Sequence, residues 1–179
     1  RGGVGVRGWG GEVRVGRGWV ERLRAEPGQT ITGRTSRPSK RKDMKDLPDD
    51  WRERLIARLP NYRIAALTEA VTGCRPAELV HGVRLEIKDG EIIATITGAK
   101  VTSKTGQPWR RLVGPVDSES PLVRALVAEV ERGAVLVKID DAKAYSGAVR
   151  AAGKREWPRR ERSMAPYCFR HAFASDMKA

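Results

Sequence analysis

The sequence has few of the features that would place it in an oxidising compartment or a membrane. Only two of its 179 residues are cysteines, Cys74 and Cys168, and both stand beside apolar residues that predict small buried side chains. No run of about 18 apolar residues is present to span a bilayer, and the N-terminus lacks the apolar core of a signal peptide. We therefore expect a cytoplasmic protein without disulfides or a membrane segment.

Acidic residues are scarce relative to basic ones. The chain has 22 Asp and Glu against 35 Lys and Arg, which gives a formal net charge of +13 and a pI of about 10.4. Such an excess favours a polyanionic partner. Nucleic acid is the first expectation, with an anionic membrane surface second.

Residues 1–46 differ in composition from the rest of the chain. Glycines crowd the first 11 positions and basic residues crowd the last ones, so this segment is predicted to be an irregular, basic arm or linker. The stretch Gly3–Gly8 matches the GxGxxG pattern of dinucleotide-binding loops, but no predicted strand precedes it. We interpret that match as chance and expect no cofactor.

The ordered domain is predicted to span residues 47–179. Helical periodicity indicates one helix after the capping residue Asp50 and a second from about Asn61 to a break at Gly73. Further helices are indicated from Pro76, from Pro121 after the cap Ser120 to about Glu131, over 143–152 and from about Pro166. Alternating apolar residues indicate strands over 83–87, 92–96 and 109–116, the first two joined by a hairpin turn at Asp89-Gly90. Residues 135–139 fit either a short strand or a linker. The predicted fold class is α+β, mainly helical with a small three-stranded antiparallel sheet.

Two short segments carry arginines in recognisable surroundings. Residues 72–79 read Thr-Gly-Cys-Arg-Pro-Ala-Glu-Leu, and residues 167–173 read Tyr-Cys-Phe-Arg-His-Ala-Phe. Separated by a small sheet with a lysine in a β-turn, they resemble the TGxRxxEL and HxxRHxF boxes of tyrosine recombinases and phage integrases. The resemblance covers residues 50–179 and implies a fold like the catalytic domain of that family. It also implies site-specific DNA strand cleavage and rejoining, without a metal, through a 3′-phosphotyrosyl intermediate.

The two arginines of these boxes, Arg75 and Arg170, are the first predicted catalytic residues. Cleavage of DNA through a phosphotyrosine requires stabilisation of negative charge on the non-bridging phosphate oxygens. A guanidinium group offers two parallel hydrogen bonds to a phosphate and stays protonated. Arg75 and Arg170 are therefore expected to hold the scissile phosphate as a clamp that needs no metal ion.

The leaving 5′ oxygen needs a proton, and a hairpin lysine is expected to supply it. Lys104 lies in Ser103-Lys104-Thr105-Gly106, which resembles the TKTG turn of the family, whereas Lys100 matches better by its distance from Arg75. Both lysines remain candidates for the general acid.

Three further residues are predicted to assist at the phosphate. Tyr167 stands where the family most often has histidine; a phenol can donate a hydrogen bond to phosphate but is a poor general base near neutral pH. His171 resembles the second histidine of the box and is expected to brace the helix. Glu78, one helical turn from Arg75, is expected to orient that arginine or to accept hydrogen bonds from the hairpin backbone.

The nucleophilic tyrosine of the family has no counterpart in this sequence, since Tyr62, Tyr145 and Tyr167 all lie at other positions. The sequence is therefore expected to be truncated at its C-terminus or to use a tyrosine from another protomer, and to bind DNA without cutting it alone. The alternative is a non-catalytic DNA-binding protein derived from a degenerate integrase.

The expected partners are double-stranded DNA and like recombinase protomers in a synaptic assembly, which implies a nucleoid-associated protein. A basic run is a further candidate for contact with the DNA backbone, although such runs are often solvated loops. It consists of Lys154, Arg155, Arg159, Arg160 and Arg162. The histidines and cysteines lack the paired spacing of zinc ligands, so no metal is expected.

Overall fold

The computed structural model describes residues 12–14, 44, 46–101, 107–133 and 135–177. These residues contain six α-helices: α1 Trp51–Ala57, α2 Arg63–Thr72, α3 Pro76–His81, α4 Pro121–Glu131, α5 Ala142–Glu156 and α6 Pro166–Asp176. A short 3-10 helix, Pro60–Tyr62, precedes α2. The α+β class predicted from the sequence is therefore confirmed.

One mixed sheet contains all the strands of the described residues. They are β1 Glu12–Arg14, β2 Val83–Lys88, β3 Glu91–Thr97, β4 Trp109–Pro115 and β5 Leu136–Val137, arranged in the order β1-β4-β3-β2-β5. The neighbouring pairs β4–β3, β3–β2 and β2–β5 are antiparallel, whereas β1 runs parallel to β4. The hairpin turn is present, with positive φ angles of 52° at Asp89 and 76° at Gly90, as expected of a tight turn between twisted strands.

The prediction of three strands is wrong because two short strands join the edges of the predicted sheet. One of them, β5, lies within residues 135–139, for which a short strand was one of the two predicted alternatives. The strand β5 has only two residues, too few to show an alternating pattern, and it pairs with Val83 and Arg84 at the start of β2. The strand β1 lies in the glycine-rich arm, where composition indicates irregular structure. Both are held by pairing with a distant strand, a contact that composition does not reveal.

The helix α2 lies at the centre of the core. All but three of its ten residues are buried, including Glu69 and Thr72, and the helix packs against both α4 and α6. The helix α6 in turn contributes the fully buried Phe169, whose ring stacks on Trp51 of α1 with a centroid distance of 5.4 Å. Both cysteines are buried and free, as predicted.

The turn between α2 and α3 places the first predicted arginine. Gly73 ends α2 with a φ of 60°, a left-handed conformation that favours glycine, and a Cβ atom there would overlap the ring of Phe173. Two residues later Arg75 is extended and precedes Pro76, the first residue of α3. Arg75 therefore lies at the N-terminal boundary of α3, as the sequence predicted.

The helix α5 extends four residues beyond its predicted end at Ala152 and begins one residue earlier. The carboxylate of Asp141 caps its N-terminus by accepting hydrogen bonds from the backbone N–H groups of Lys143 and Ala144. The extension carries Lys154 and Arg155 into the last turn, where positive charge interacts favourably with the helix dipole. Among the helices of the described ranges, none has the length and apolar character required to cross a membrane.

Candidate phosphate-binding site

A fully buried carboxylate, Glu78 of α3, organises the candidate site. Its Oε1 accepts hydrogen bonds from Nη1 of Arg75 at 2.8 Å and from Nη1 of Arg110 at 3.0 Å. Its Oε2 accepts from the backbone N–H of Arg75 at 2.7 Å and from Nη2 of Arg110 at 2.8 Å. Four donors match the acceptor capacity of an ionised carboxylate, so Glu78 is held in one position.

The arginine partners determine the charge of Glu78. Burial by itself would raise the pKa of this carboxyl group, but the hydrogen bonds and charges of Arg110 and Arg75 outweigh it and lower the pKa to about 2. Glu78 is therefore ionised at neutral pH. The side chains of Arg75 and Arg110 keep 30% and 19% of their surface exposed, so both guanidinium groups lie between Glu78 and solvent.

The second predicted arginine, Arg170, approaches this group from α6. Its Nη1 donates a hydrogen bond to the carbonyl oxygen of Gly73, at the C-terminal end of α2. Burial lowers the pKa of Arg170, and the charges of Arg75 and Arg110 lower it further. The three guanidinium groups therefore lie within electrostatic range of one another. We call Arg75, Arg110, Arg170 and Glu78 the arginine cluster.

The arginine cluster contains three residues singled out from the sequence and one that was missed. Arg75, Glu78 and Arg170 come together from α3 and α6, while Arg110 is contributed by β4. A signal for Arg110 exists in the alternation of the strands: it stands opposite Ile96, which is fully buried, so it belongs to the face of the sheet turned to the core. An arginine on that face requires a partner, and Glu78 provides it.

The remaining predicted site residues have different environments. Lys100 is exposed just beyond β3, and Lys104 lies outside the described residues. Tyr167 is 41% exposed on the first turn of α6, one helical turn before Arg170, and His171 is half-buried on the same helix.

The predicted basic run divides between two elements. Lys154 and Arg155 are exposed at the end of α5, and the other members follow in the loop before α6. Arg160 is half-buried and donates to the sulfur of Met164 and to the carbonyl oxygen of Arg162. The loop borders an open cleft of about 620 Å³, whose lining includes Trp157, Arg159 and Glu161. These arginines therefore line a surface of mixed charge.

A buried hydrogen-bonded pair, Glu69 and Tyr145, lies deeper in the core and was not predicted from the sequence. Tyr145 of α5 donates a hydrogen bond of 2.8 Å to Oε2 of Glu69, and neither side chain is exposed to solvent. Burial raises the pKa of Glu69 well above its ordinary value, although the hydrogen bond from Tyr145 and the charge of Arg170 oppose this rise. Oε1 of Glu69 is buried without a hydrogen-bond partner. Folding therefore favours the protonated form of Glu69 relative to the unfolded chain.

This pair predicts a stability that depends on pH. Above about pH 4.5 the unfolded chain releases the Glu69 proton, whereas the raised pKa makes the folded protein retain it to higher pH, so the contribution of Glu69 to stability falls as pH rises, by about 1.4 kcal/mol per unit at most. Glu69→Gln cannot ionise and keeps an acceptor for Tyr145. We expect the stability of this variant relative to wild type to increase as pH rises above about 4.5 in urea unfolding. Glu161→Gln, an exposed change of the same kind, is the control. A difference between Glu69→Gln and wild type that is constant with pH would contradict the prediction.

Comparison of the chain with models of protein families, with curated proteins and with solved structures finds no match. Within the described ranges, no group of three or more His, Cys, Asp or Glu side chains is arranged to hold a metal ion. The side chains of the arginine cluster are thus two arginines bonded to one carboxylate, with Arg170 bonded nearby to the carbonyl oxygen of Gly73.

Proposed function

We propose that residues 47–179 form the catalytic-domain portion of a tyrosine-type site-specific DNA recombinase, in which the arginine cluster binds the scissile phosphate of duplex DNA. The observation that carries this proposal is that Arg75 and Arg110 both bind the ionised carboxylate of Glu78, while Arg170, bonded to the carbonyl oxygen of Gly73 two residues before Arg75, interacts electrostatically with both arginines. Three positive charges and one negative charge leave a net charge of +2, which attracts the single negative charge of a phosphodiester and leaves one positive charge for the negative charge that grows in the transition state.

The hydrogen bonds that remain available support phosphate as the ligand. A guanidinium group has five N–H donors, and Arg75 uses one of them on Glu78. Arg170 uses one on the carbonyl oxygen of Gly73. Both can therefore direct further donors at the same anion, and fixed donors are the kind of group that stabilises charge in a phosphoryl-transfer transition state. Tyr167, exposed one helical turn from Arg170, is a further donor to the phosphate in this proposal.

The attacking tyrosine is proposed to come from outside this sequence or from another protomer. Tyr145 is fully buried against Glu69, and Tyr62 packs on Tyr145 with ring centroids 5.3 Å apart. Tyr167 belongs to the phosphate-binding helix itself. The proposed chemistry is transfer of the phosphodiester to that tyrosine as a 3′-phosphotyrosyl link, with Lys104 or Lys100 protonating the leaving 5′ oxygen.

Duplex DNA binding by this chain tests the proposal. We expect Arg75→Ala and Arg170→Ala each to weaken binding by about tenfold or more and to reduce the dependence of affinity on salt by about one released counterion. Fluorescence anisotropy with a labelled duplex over a series of salt concentrations measures both quantities. The control is Arg132→Ala, which removes a surface arginine whose side chain is 68% exposed. Losses for Arg75→Ala and Arg170→Ala no larger than for Arg132→Ala would refute the proposal.

The second candidate is a DNA-binding protein without cleavage chemistry, favoured by the tyrosine at position 167 where the resembled family has histidine. Both candidates predict that the arginine cluster binds DNA. A nicked suicide duplex distinguishes the two candidates. It is mixed with this chain, with a protomer that carries the nucleophilic tyrosine, and with a metal chelator. A covalent protein–DNA adduct that disappears in Arg170→Ala supports the recombinase, and binding without an adduct supports the second candidate.

A further inference from the structure

The contact between Arg110 and Glu78 joins the sheet to the helix that carries Arg75. Nη1 and Nη2 of Arg110 donate hydrogen bonds to the two oxygens of Glu78 at 3.0 and 2.8 Å. This is the bidentate geometry in which arginine binds a carboxylate most specifically. The two residues are 32 positions apart in the chain. The pair therefore sets the position of the Glu78 carboxylate relative to β4.

We propose that Arg110 is a positioning residue for the Arg75 guanidinium, acting through Glu78, so that Arg75 meets the phosphate in one orientation. The inference rests on the proposed function of the arginine cluster as a phosphate site. Both Nη atoms of Arg110 are bonded to Glu78, whereas Arg75 uses one and has the larger exposed fraction, so Arg75 is the better placed of the two to bind a phosphate.

The hydrogen-bond pattern supports action through Glu78. The side chain of Arg75 has a single hydrogen bond to Glu78, from Nη1 to Oε1, so the orientation of its guanidinium depends on where that oxygen lies. Oε1 is also bonded to Arg110. Without Arg110, Glu78 keeps only donors that belong to Arg75 itself, and the carboxylate and guanidinium can then move together.

The ionisation of Glu78 provides a second link between Arg110 and Arg75. Among the groups that lower the pKa of this buried carboxyl, the hydrogen bonds of Arg110 are the strongest, followed by the hydrogen bond from the backbone of Arg75. Loss of Arg110 therefore favours the protonated form of Glu78. A protonated Glu78 no longer attracts the Arg75 guanidinium as a charge, which weakens its hold on that group.

A double-mutant cycle on DNA affinity separates positioning from direct DNA contact. We expect Arg110→Met to weaken duplex binding by about tenfold in the wild-type background. In an Arg75→Ala background, the same change should cost no more than Arg111→Met, the matched control that removes one positive charge from the next residue of β4. A loss from Arg110→Met that persists fully in the Arg75→Ala background would overturn the proposal, because Arg110 would then bind DNA independently of Arg75.

Arg110→Lys keeps the charge but cannot form the bidentate contact. We expect it to bind DNA more weakly than wild type, and wild-type affinity would show that charge alone matters and overturn the proposal. This variant also replaces Arg110→Met if the latter does not fold, since it retains a cation beside Glu78. Thermal unfolding establishes that each variant is folded at the temperature of the binding assay.

Side-chain NMR of Arg75 distinguishes failure of this inference from failure of the proposed function. In the DNA-free protein, the Nε–H signal of Arg75, assigned by its loss in Arg75→Lys, should shift or broaden in Arg110→Lys and remain unchanged in Arg111→Lys. An unchanged signal in Arg110→Lys overturns the positioning role whatever the ligand is. A shifted signal together with unaltered DNA binding in Arg75→Ala supports positioning and refutes phosphodiester binding instead.

Discussion

Glu78→Ala is expected to lower the free energy of unfolding by about 3–5 kcal/mol, the usual result of removing one partner from a buried ion pair. Glu78 is fully buried and accepts four hydrogen bonds from Arg75 and Arg110. Its removal leaves two guanidinium groups near Arg170 without a counter-charge. Because native domains are stable by only about 5–15 kcal/mol, this loss is a large share of the total.

The measurement is urea unfolding followed by circular dichroism at neutral pH, with Glu129→Ala as the matched control. Glu129 also pairs with two arginines, Arg63 at 3.2 Å and Arg132 at 3.1 Å, but these pairs lie at the surface. Exposed ion pairs contribute about 0–1 kcal/mol, so the control should lose little. Equal losses for the two variants would show that burial of Glu78 adds nothing to its contribution.

The same carboxylate predicts how wild-type stability changes with acid. Its pKa is about 2 in the folded protein against 4.5 for an unperturbed glutamate, so its contribution is complete above about pH 4.5 and is lost as pH falls toward 2. At about 1.4 kcal/mol per unit, this difference corresponds to roughly 3 kcal/mol, in agreement with the range expected for Glu78→Ala. In Glu78→Gln this part of the acid dependence should be absent.

Phe169→Ala is expected to cost about 3–5 kcal/mol of stability, as large-to-small changes of buried aromatic residues do. Phe169 is fully buried, and its ring stacks on Trp51 of α1 at 5.4 Å. It is also the residue before Arg170, so the packing that holds α6 in place also sets the position of the second arginine proposed to bind phosphate. We therefore expect a weaker affinity for duplex DNA even under conditions in which the variant is folded.

Chemical unfolding and anisotropy, measured on the same Phe169→Ala preparation, test both parts of this expectation. Phe173→Ala is the control, because Phe173 lies on the same helix but is only half-buried, and it should lose less stability. A stability loss below about 1 kcal/mol for Phe169→Ala would mean that α6 is held by other contacts, contrary to the prediction.

The motifs of the sequence predicted most of the arginine cluster but could not supply Arg110. Arg75 and Glu78 are three residues apart across a helix start, a spacing that brings their side chains together, and Arg170 stands in a motif of its own. Arg110, within Trp109-Arg110-Arg111, has the composition of an ordinary exposed strand. Its burial follows from its pairing opposite Ile96, which depends on the register between β3 and β4.

By itself the sequence determined the local elements of this protein. The starts of α3, α4 and α6 at Pro76, Pro121 and Pro166, the end of α2 before Gly73, and the turn at Asp89-Gly90 all agree with the structure. These features depend on the φ and ψ preferences of a few consecutive residues, which proline and glycine restrict or permit strongly. Such preferences depend only on residues that are neighbours in the sequence.

Only the tertiary structure decided which distant groups share the interior. Arg110 and Glu78 are 32 residues apart, Tyr145 and Glu69 are 76 apart, and Arg170 and the carbonyl oxygen of Gly73 are 97 apart. The short strands β1 and β5 likewise exist through pairing with remote strands. Contacts of this kind depend on how helices and strands pack around a common core, and a buried charge acquires its partner only when that packing brings one within reach.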